Sequence, residues 1–256
     1  MDNSDTFIDI NKIFVVDDVA PEWLYNLWVE RIQQADRWKY GMAATRQDYG
    51  RFFVMWIANV GSHRGPRGPI AGDYKGIADT FNELWQREHL PKLMPDATVL
   101  NIHRSHLNGQ FPTDNKLAIH FDFDMLDMWT MVYYLDGEDG NTIFYDNPKI
   151  DENGDMQPPE PIHTVEFKRN RAVFFPSFYW HAAENPSQDF RISLAFSYLL
   201  NECEINKKLR KDRGIEHEDL GHPDLSDFLQ EMQEKEKYEK MHLKMQEDLE
   251  PNAKKS

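Results

Sequence analysis

The sequence predicts a mainly β protein with flanking helices packed on one face and a helical C-terminal extension. Three observations carry this. Short runs rich in Val, Ile, Thr, Phe and Tyr follow one another between residues 98 and 200. Turn-forming pairs separate them: Asn108-Gly109, Asp136-Gly137, Asp139-Gly140, Asn153-Gly154 and Asn185-Pro186. Before and after this block, apolar residues recur at helical spacing. Helices first and consecutive strands afterwards point to an all-β core with helices on one face.

Taken in order, Lys12 to Asp18 (KIFVVDD) reads as a strand. Asp18 is placed to cap a helix over 22–34, with Pro21 suited to its first turn and Trp23, Leu27 and Val29 on its apolar side. Arg51 to Ala58 (RFFVMWIA) suits a buried strand, and the Gly/Pro segment 61–72 a long loop. Residues 75–93 form a second helix, with Ile77, Phe81, Leu84, Trp85 and Leu93 as its stripe. The strands then fall at 98–104, 116–124, 128–135, 141–146, 162–168, 172–177 and 190–200. Residues 201–256 are charged and strand-poor. Pro223 opens an amphipathic stretch there, with Leu225, Phe228, Leu229 and Met232 on one side. That stripe could dock on the core or on a second subunit as a homodimer contact, and both stay open.

The chain has 256 residues and a hydrophobic share of 40%, enough to bury a core. Its net charge of -15 makes nucleic acid an unlikely partner, since the summed field repels a polyanion. Arg64, Arg67 and Lys75 make a local basic group, but Asp73 interrupts it. The single cysteine, Cys203, excludes an internal disulfide framework and a Cys-rich metal site. No apolar run reaches membrane-spanning length and MDNSDTF lacks signal-peptide character, so a soluble protein of a reducing cytoplasm is expected.

The chemistry concentrates in His120-Phe121-Asp122, answered by His181 and then Arg191. On a strand, residues i and i+2 share a face, so His120 and Asp122 can reach one metal. His181 follows the hydrophobic run AVFFPSFYW. Two histidines and one carboxylate form the facial ligand set of non-haem Fe(II), with the opposite positions open. In FRISLAF, alternation puts Arg191, Ser193 and Ala195 on one face and Ile192, Leu194 and Phe196 on the other. An arginine facing a barrel interior calls for an anion, and guanidinium grips carboxylate with two parallel bonds.

An H-x-D triplet alone is weak: His217-Glu218-Asp219 also matches, but in a polar stretch with no strand pattern. Asp124 shares a face with Asp122 and is a rival ligand, expected to face solvent or stand behind the ligands. His103, His106 and His163 are expected to be structural or surface residues. Tyr179, Trp180 and the 61–72 loop are candidates for the substrate wall, with simple packing as the equal alternative for the aromatics.

From Val99 to Leu200 the chain resembles the Fe(II)/2-oxoglutarate-dependent dioxygenases, within them the prolyl 4-hydroxylase-like branch and its small phage and bacterial members. Five pieces carry the resemblance in order: NIHRSHLNG, IHFD, MVYYLDGEDGNTIFYD, AVFFPSFYWH and FRISLAF. GNTIF looks like the family's G-x-T-x-F strand. The resemblance implies a double-stranded β-helix (jelly-roll) core at about 97–200 within one oxygenase domain, 1–200, followed by the extension 201–256. It matches His120, Asp122 and His181 to the iron ligands. Arg191, with Ser193 beside it, matches the residue that binds the distal carboxylate of 2-oxoglutarate, and Tyr134 matches a position that hydrogen-bonds that carboxylate. It implies Fe(II) as cofactor, 2-oxoglutarate and dioxygen as co-substrates, and ascorbate as an optional reductant. Asp122 favours hydroxylation, because halogenating relatives lack this carboxylate. The expected substrate is a peptidyl proline or another amino-acid side chain. A free small molecule, or a non-catalytic jelly-roll binding module, is the alternative. The chain departs from the family at Asn170, where glycine is frequent, and in SHLNGQFPTDNK. A phage-encoded member would work in the host cytoplasm.

Overall fold

The computed structural model describes residues 8–35, 38–42, 52–59, 74–113, 119–147, 149–150, 156–157 and 159–214. The 61–72 loop with Arg64 and Arg67, the Asn153-Gly154 turn, His217-Glu218-Asp219 and the stretch opened by Pro223 lie outside the described residues.

The main sheet is antiparallel and seven-stranded. In chain order its strands are β1 (Phe14–Val16), β2 (Lys39–Met42), β3 (Phe52–Asn59), β4 (Val99–Gln110), β5 (Met128–Asp136), β10 (Arg171–Pro176) and β12 (Arg191–Leu200). Across the sheet they run β1-β10-β5-β12-β4-β3-β2. A smaller sheet, ordered β11-β6-β9, comprises β6 (Thr142–Tyr145), β9 (Pro161–Val165) and β11 (His181–Ala183). The strands β7 (Lys149–Ile150) and β8 (Met156–Gln157) pair as a separate hairpin. His120 bridges to His181 and so extends the small sheet by one residue. The band β4-β12-β5-β10 faces this smaller sheet, which makes the core a double-stranded β-helix.

Alternation along the strands assigns each face. Tyr133, Phe174 and Phe196 point to the helices, whereas Tyr134, Phe175 and Arg191 point to the small sheet. The helices are α1 (Glu22–Gln33), α2 (Lys75–Leu84), α3 (Leu90–Leu93) and α4 (Glu204–Asp212). Trp28 on α1 meets Tyr133 edge-on at 6.2 Å, and Phe81 on α2 lies 4.6 Å from Tyr133 and 5.3 Å from Phe196. Trp85 meets Phe174 at 5.4 Å. On the opposite face, Phe144 of the small sheet meets Phe175 at 4.8 Å. Each of these buried aromatics contributes roughly 1.5–3 kcal/mol by leaving water. The expectation of helices on one face of a β core therefore holds, and the matching face is closed by the second sheet. No described helix is long and apolar enough to cross a membrane.

Several local expectations are corrected. The helix expected at 75–93 is continuous but contains a π turn at Trp85–His89, where the Leu90 N–H reaches the Trp85 carbonyl. The wider turn precedes Pro91, whose ring has no N–H and would crowd the carbonyl one turn back in a regular helix. Asp18 does not cap α1. Its φ is 51°, and Pro21 occupies the N-cap without a side-chain bond. Asn170 fixes that segment instead: its Oδ1 accepts from Ala20 N at 2.9 Å and its Nδ2 donates to Ala20 O at 2.8 Å. Tyr133 Oη also donates to Asn170 Oδ1, at 2.7 Å. Asn170 has φ 63°, a conformation that glycine takes freely and asparagine tolerates. The departure at this position thus keeps the turn and adds a clamp.

Asn108-Gly109 is not a turn. β4 runs straight through it to Gln110, and Gly109 pairs with Ile192. A Cβ at Gly109 would sit 2.2 Å from Phe190 Cζ, so the glycine is there to admit that ring. The expected strand at 116–124 is also absent among the described residues 119–124, apart from the His120 bridge. β2, β7 and β8 were not expected at all.

Candidate metal centre

His120, Asp122 and His181 converge. One donor atom from each lies within 4.8 Å of the others, and these three form the one such group among the described residues. His181 Nε2 is 3.9 Å from Asp122 Oδ2. The imidazoles of His120 and His181 are 4.6 Å apart.

Backbone hydrogen bonds bring the set together. His120 N donates to His181 O at 3.0 Å, and His181 N to His120 O at 2.8 Å. Asp122 N donates to Ser177 O at 2.9 Å, in the turn after β10. The pair His120/Asp122 thus shares a site through two anchors to the 177–181 segment, not through a regular strand.

Neighbours fix the side chains of His181 and Asp122. His181 Nδ1 lies 2.9 Å from Tyr179 O. A carbonyl only accepts, so the proton is on Nδ1 and Nε2 presents its lone pair. Burial, with His120 nearby, pushes the His181 imidazole down to about 4, so it is neutral at pH 7. Thr130 Oγ1 donates to Asp122 Oδ2 at 2.7 Å, and Arg104 holds the other oxygen, Oδ1. Burial pushes the Asp122 carboxyl up, but Arg104, His181, His120 and Thr130 outweigh it and leave the group well below the usual carboxylate range. The carboxylate is ready to ligate without first losing a proton.

The arginine slot lies along the same inner face. Arg191 is 2% exposed, and its guanidinium stacks over the Tyr134 ring at 5.2 Å. Its Nη1 donates to Gln110 Oε1, whereas Arg191 Nε and Gln110 Nε2 are buried without a hydrogen-bond partner. Gly140, with φ 104°, makes room: a Cβ there would lie 2.5 Å from Arg191 Cδ. Tyr134 Oη donates to Thr142 Oγ1 at 2.7 Å, and burial raises its pKa. Ser193 is buried opposite both Asn108 and Tyr134. Buried donors around a cationic group, with no acceptor to satisfy them, fit a carboxylate ligand. The three ligands and the slot together fit Fe(II) with a dicarboxylate.

Asp124 faces outwards, with a side chain 71% exposed and Arg213 at 3.6 Å, so it is not in the cluster. Tyr179 is corrected. It is fully buried and its hydroxyl donates to Asp9 O at 3.2 Å, so it packs and forms no substrate wall. Trp180 pairs edge-on with Phe121 at 5.0 Å. His103 stacks on Phe123, and His163 lies against Phe144, in keeping with structural roles.

The sequence reading missed Arg104, Thr130 and Gln110. The signal was available in Arg104-Ser-His-Leu-Asn-Gly-Gln110. Arg104, His106, Asn108 and Gln110 alternate with smaller or apolar residues and pair with Ser197, Ala195, Ser193 and Arg191. This polar ladder runs from Asp122 at one end to Arg191 at the other. Burial, with Arg104 nearby, pushes the buried His106 imidazole down to about 3, and its Nε2 lies 3.2 Å from Asn108 Nδ2.

Residues 105–198 match the family model described as "2OG-Fe(II) oxygenase superfamily". No curated protein matches the sequence. Among solved structures, the chain is similar to an oxidoreductase of the 2OG-Fe(II) oxygenase family from Burkholderia pseudomallei. The two are 13% identical over 73% of this chain and 85% of that chain, with a TM-score of 0.50. It is also similar to a prolyl-4-hydroxylase from Pseudomonas putida, at 16% identity over 76% of this chain and 96% of that one, with a TM-score of 0.44. A prolyl hydroxylase from Trichoplax adhaerens, in complex with a hypoxia inducible factor peptide fragment, is 15% identical over 78% of this chain and 86% of that chain, with a TM-score of 0.44. These likenesses concern the fold, whereas the family match spans the strands that carry the ligand triad and Arg191. Over residues 105–198 the chain is thus similar to the 2OG-Fe(II) oxygenase superfamily.

Proposed function

We propose that the protein is a hydroxylase of an unactivated C–H bond, acting on a peptidyl proline or another amino-acid side chain. His120, Asp122 and His181 would hold Fe(II), and Arg191, assisted by Tyr134 and Ser193, would hold the distal carboxylate of 2-oxoglutarate. The observation that carries this reading is the juxtaposition of a two-histidine, one-carboxylate group with a buried arginine slot on the same inner face. Bound together, Fe(II) and 2-oxoglutarate supply dioxygen activation, with succinate and carbon dioxide released and one oxygen atom transferred to the substrate.

The chain's own residues orient and protect. Tyr179 O fixes the His181 tautomer, Thr130 and Arg104 set the Asp122 carboxylate, and the Phe144/Phe175 contact keeps bulk water from the inner side of His181. The exposed Phe121 ring and Trp180, which pair edge-on next to the ligand residues, suit an uncharged side chain better than a phosphate. The oxygenase domain is read as residues 1–200, working in the cytoplasm.

The test is anaerobic loading with Fe(II) and 2-oxoglutarate, followed by oxygen and a peptide pool containing proline. Succinate release together with a +16 Da peptide is expected. Iron and 2-oxoglutarate binding with neither product would overturn the hydroxylase reading in favour of a binding module.

A further inference from the structure

We infer that Gln110 is a second binding residue for the distal carboxylate, and that it makes the slot selective for a dicarboxylate. The inference rests on the proposed 2-oxoglutarate site. Gln110 is 1% exposed and lies directly across the β4/β12 pair from Arg191. Arg191 can only donate, so the oxygen of the Gln110 amide must face it. The amide nitrogen is the other end of the same group, and it has no hydrogen-bond partner although fully buried.

A buried N–H group without an acceptor is destabilising, and among the described residues no side chain relieves it. Arg191 Nε is in the same condition. Two unsatisfied donor groups, on adjacent side chains that touch each other, suit one carboxylate placed against both. Gln110 would contribute a donor without adding charge, and its oxygen would keep the guanidinium turned towards the ligand. Gly140 has no Cβ to displace the Arg191 side chain from this position. The residue is thus matched to an anion with a terminal carboxylate, and gives nothing to a 2-oxo acid that ends in a methyl group.

The experiment is calorimetric titration of the Mn(II)-loaded, full-length protein with 2-oxoglutarate and, separately, with pyruvate. Two variants are compared with wild type, Gln110→Met and the isosteric Gln110→Glu. Gln110→Met removes the donor and should weaken 2-oxoglutarate binding about tenfold. Gln110→Glu supplies Arg191 with an internal counter-ion and should weaken it by about a hundredfold or more. Pyruvate binding and Mn(II) binding should stay the same in all three, which a merely structural role for Gln110 would not predict. Variants within twofold of wild type for 2-oxoglutarate, or Gln110→Glu binding no worse than Gln110→Met, overturn the role of Gln110. Parallel losses for pyruvate overturn it too, by exposing a general packing defect. Failure of wild type itself to bind 2-oxoglutarate sinks the co-substrate reading, a distinct result.

Discussion

Replacing Gly140 with alanine tests whether packing around Arg191 governs co-substrate binding. The added methyl would sit 2.5 Å from Arg191 Cδ, 3.1 Å from its Nε and 3.1 Å from Glu184 O. Gly140 also has φ 104°, which an alanine adopts only under strain. The backbone term costs roughly 1–2 kcal/mol. Overfilling the site costs a further 1–3 kcal/mol or so, unless Arg191 moves. Glu184 O belongs to the backbone, which leaves the arginine side chain as the softest neighbour. It should therefore shift, losing its stack on Tyr134 and its bond to Gln110. The expected outcome is a loss of about 2–4 kcal/mol in urea unfolding, together with at least about tenfold weaker 2-oxoglutarate binding and unchanged metal affinity. Gly76→Ala is the control. Its Cβ would meet nothing within 4 Å, near the start of α2, so it should be neutral or stabilising by up to about 1 kcal/mol. If Gly140→Ala is as stable as wild type and binds 2-oxoglutarate normally, the packing argument for Arg191 fails.

Three further outcomes are expected. Arg191→Ala should raise the 2-oxoglutarate concentration needed for half-maximal binding about a hundredfold while leaving metal affinity intact, and equal loss of both would show that the variant has damaged the barrel instead. Phe81→Ala removes a side chain with no exposure, stacked on Phe196 at 5.3 Å, and should cost about 3–5 kcal/mol in chemical denaturation; a cost under about 1.5 kcal/mol would mean that α2 is not anchored through this ring. The Arg171 guanidinium, 2.5 Å from Asp17 Oδ1, brings its carboxyl down to about 2 despite partial burial, with Lys168 helping. Because the folded value is depressed, this pair stabilises the fold above the ordinary carboxylate value of 3.8, and the contribution disappears as pH falls from about 4 to 2. With Asp17 more than a third exposed, solvent screening limits the effect to roughly 0.5–1 kcal/mol, and Asp17→Asn should flatten unfolding curves in that acid window.

Much of the fold could be read from period-two alternation. In β12 the sequence places Arg191 and Ser193 on one face and Phe196 on the other, and in the folded chain Arg191 stacks on Tyr134 while Phe196 stacks on Phe81. The same holds for β5 and β10, whose aromatic and β-branched residues sort themselves between helices and small sheet. The π turn before Pro91 was only partly legible, because proline signals a break without saying how the helix absorbs it. Asn108-Gly109 misled because a glycine serving a turn and a glycine admitting a ring look identical in sequence. What distinguishes them is Phe190, which lies far along the chain.

The sequence alone pointed to the histidine–carboxylate set and the arginine that follows it, and to the mainly β character. Those depend on residue chemistry and local periodicity. The tertiary structure decided which partner each site residue meets: Arg104 and Thr130 on Asp122, Gln110 on Arg191, and Tyr179 turned into the core towards Asp9. These contacts join residues well separated along the chain. Their geometry follows from strand register and from where buried donors find acceptors, neither of which local pattern specifies.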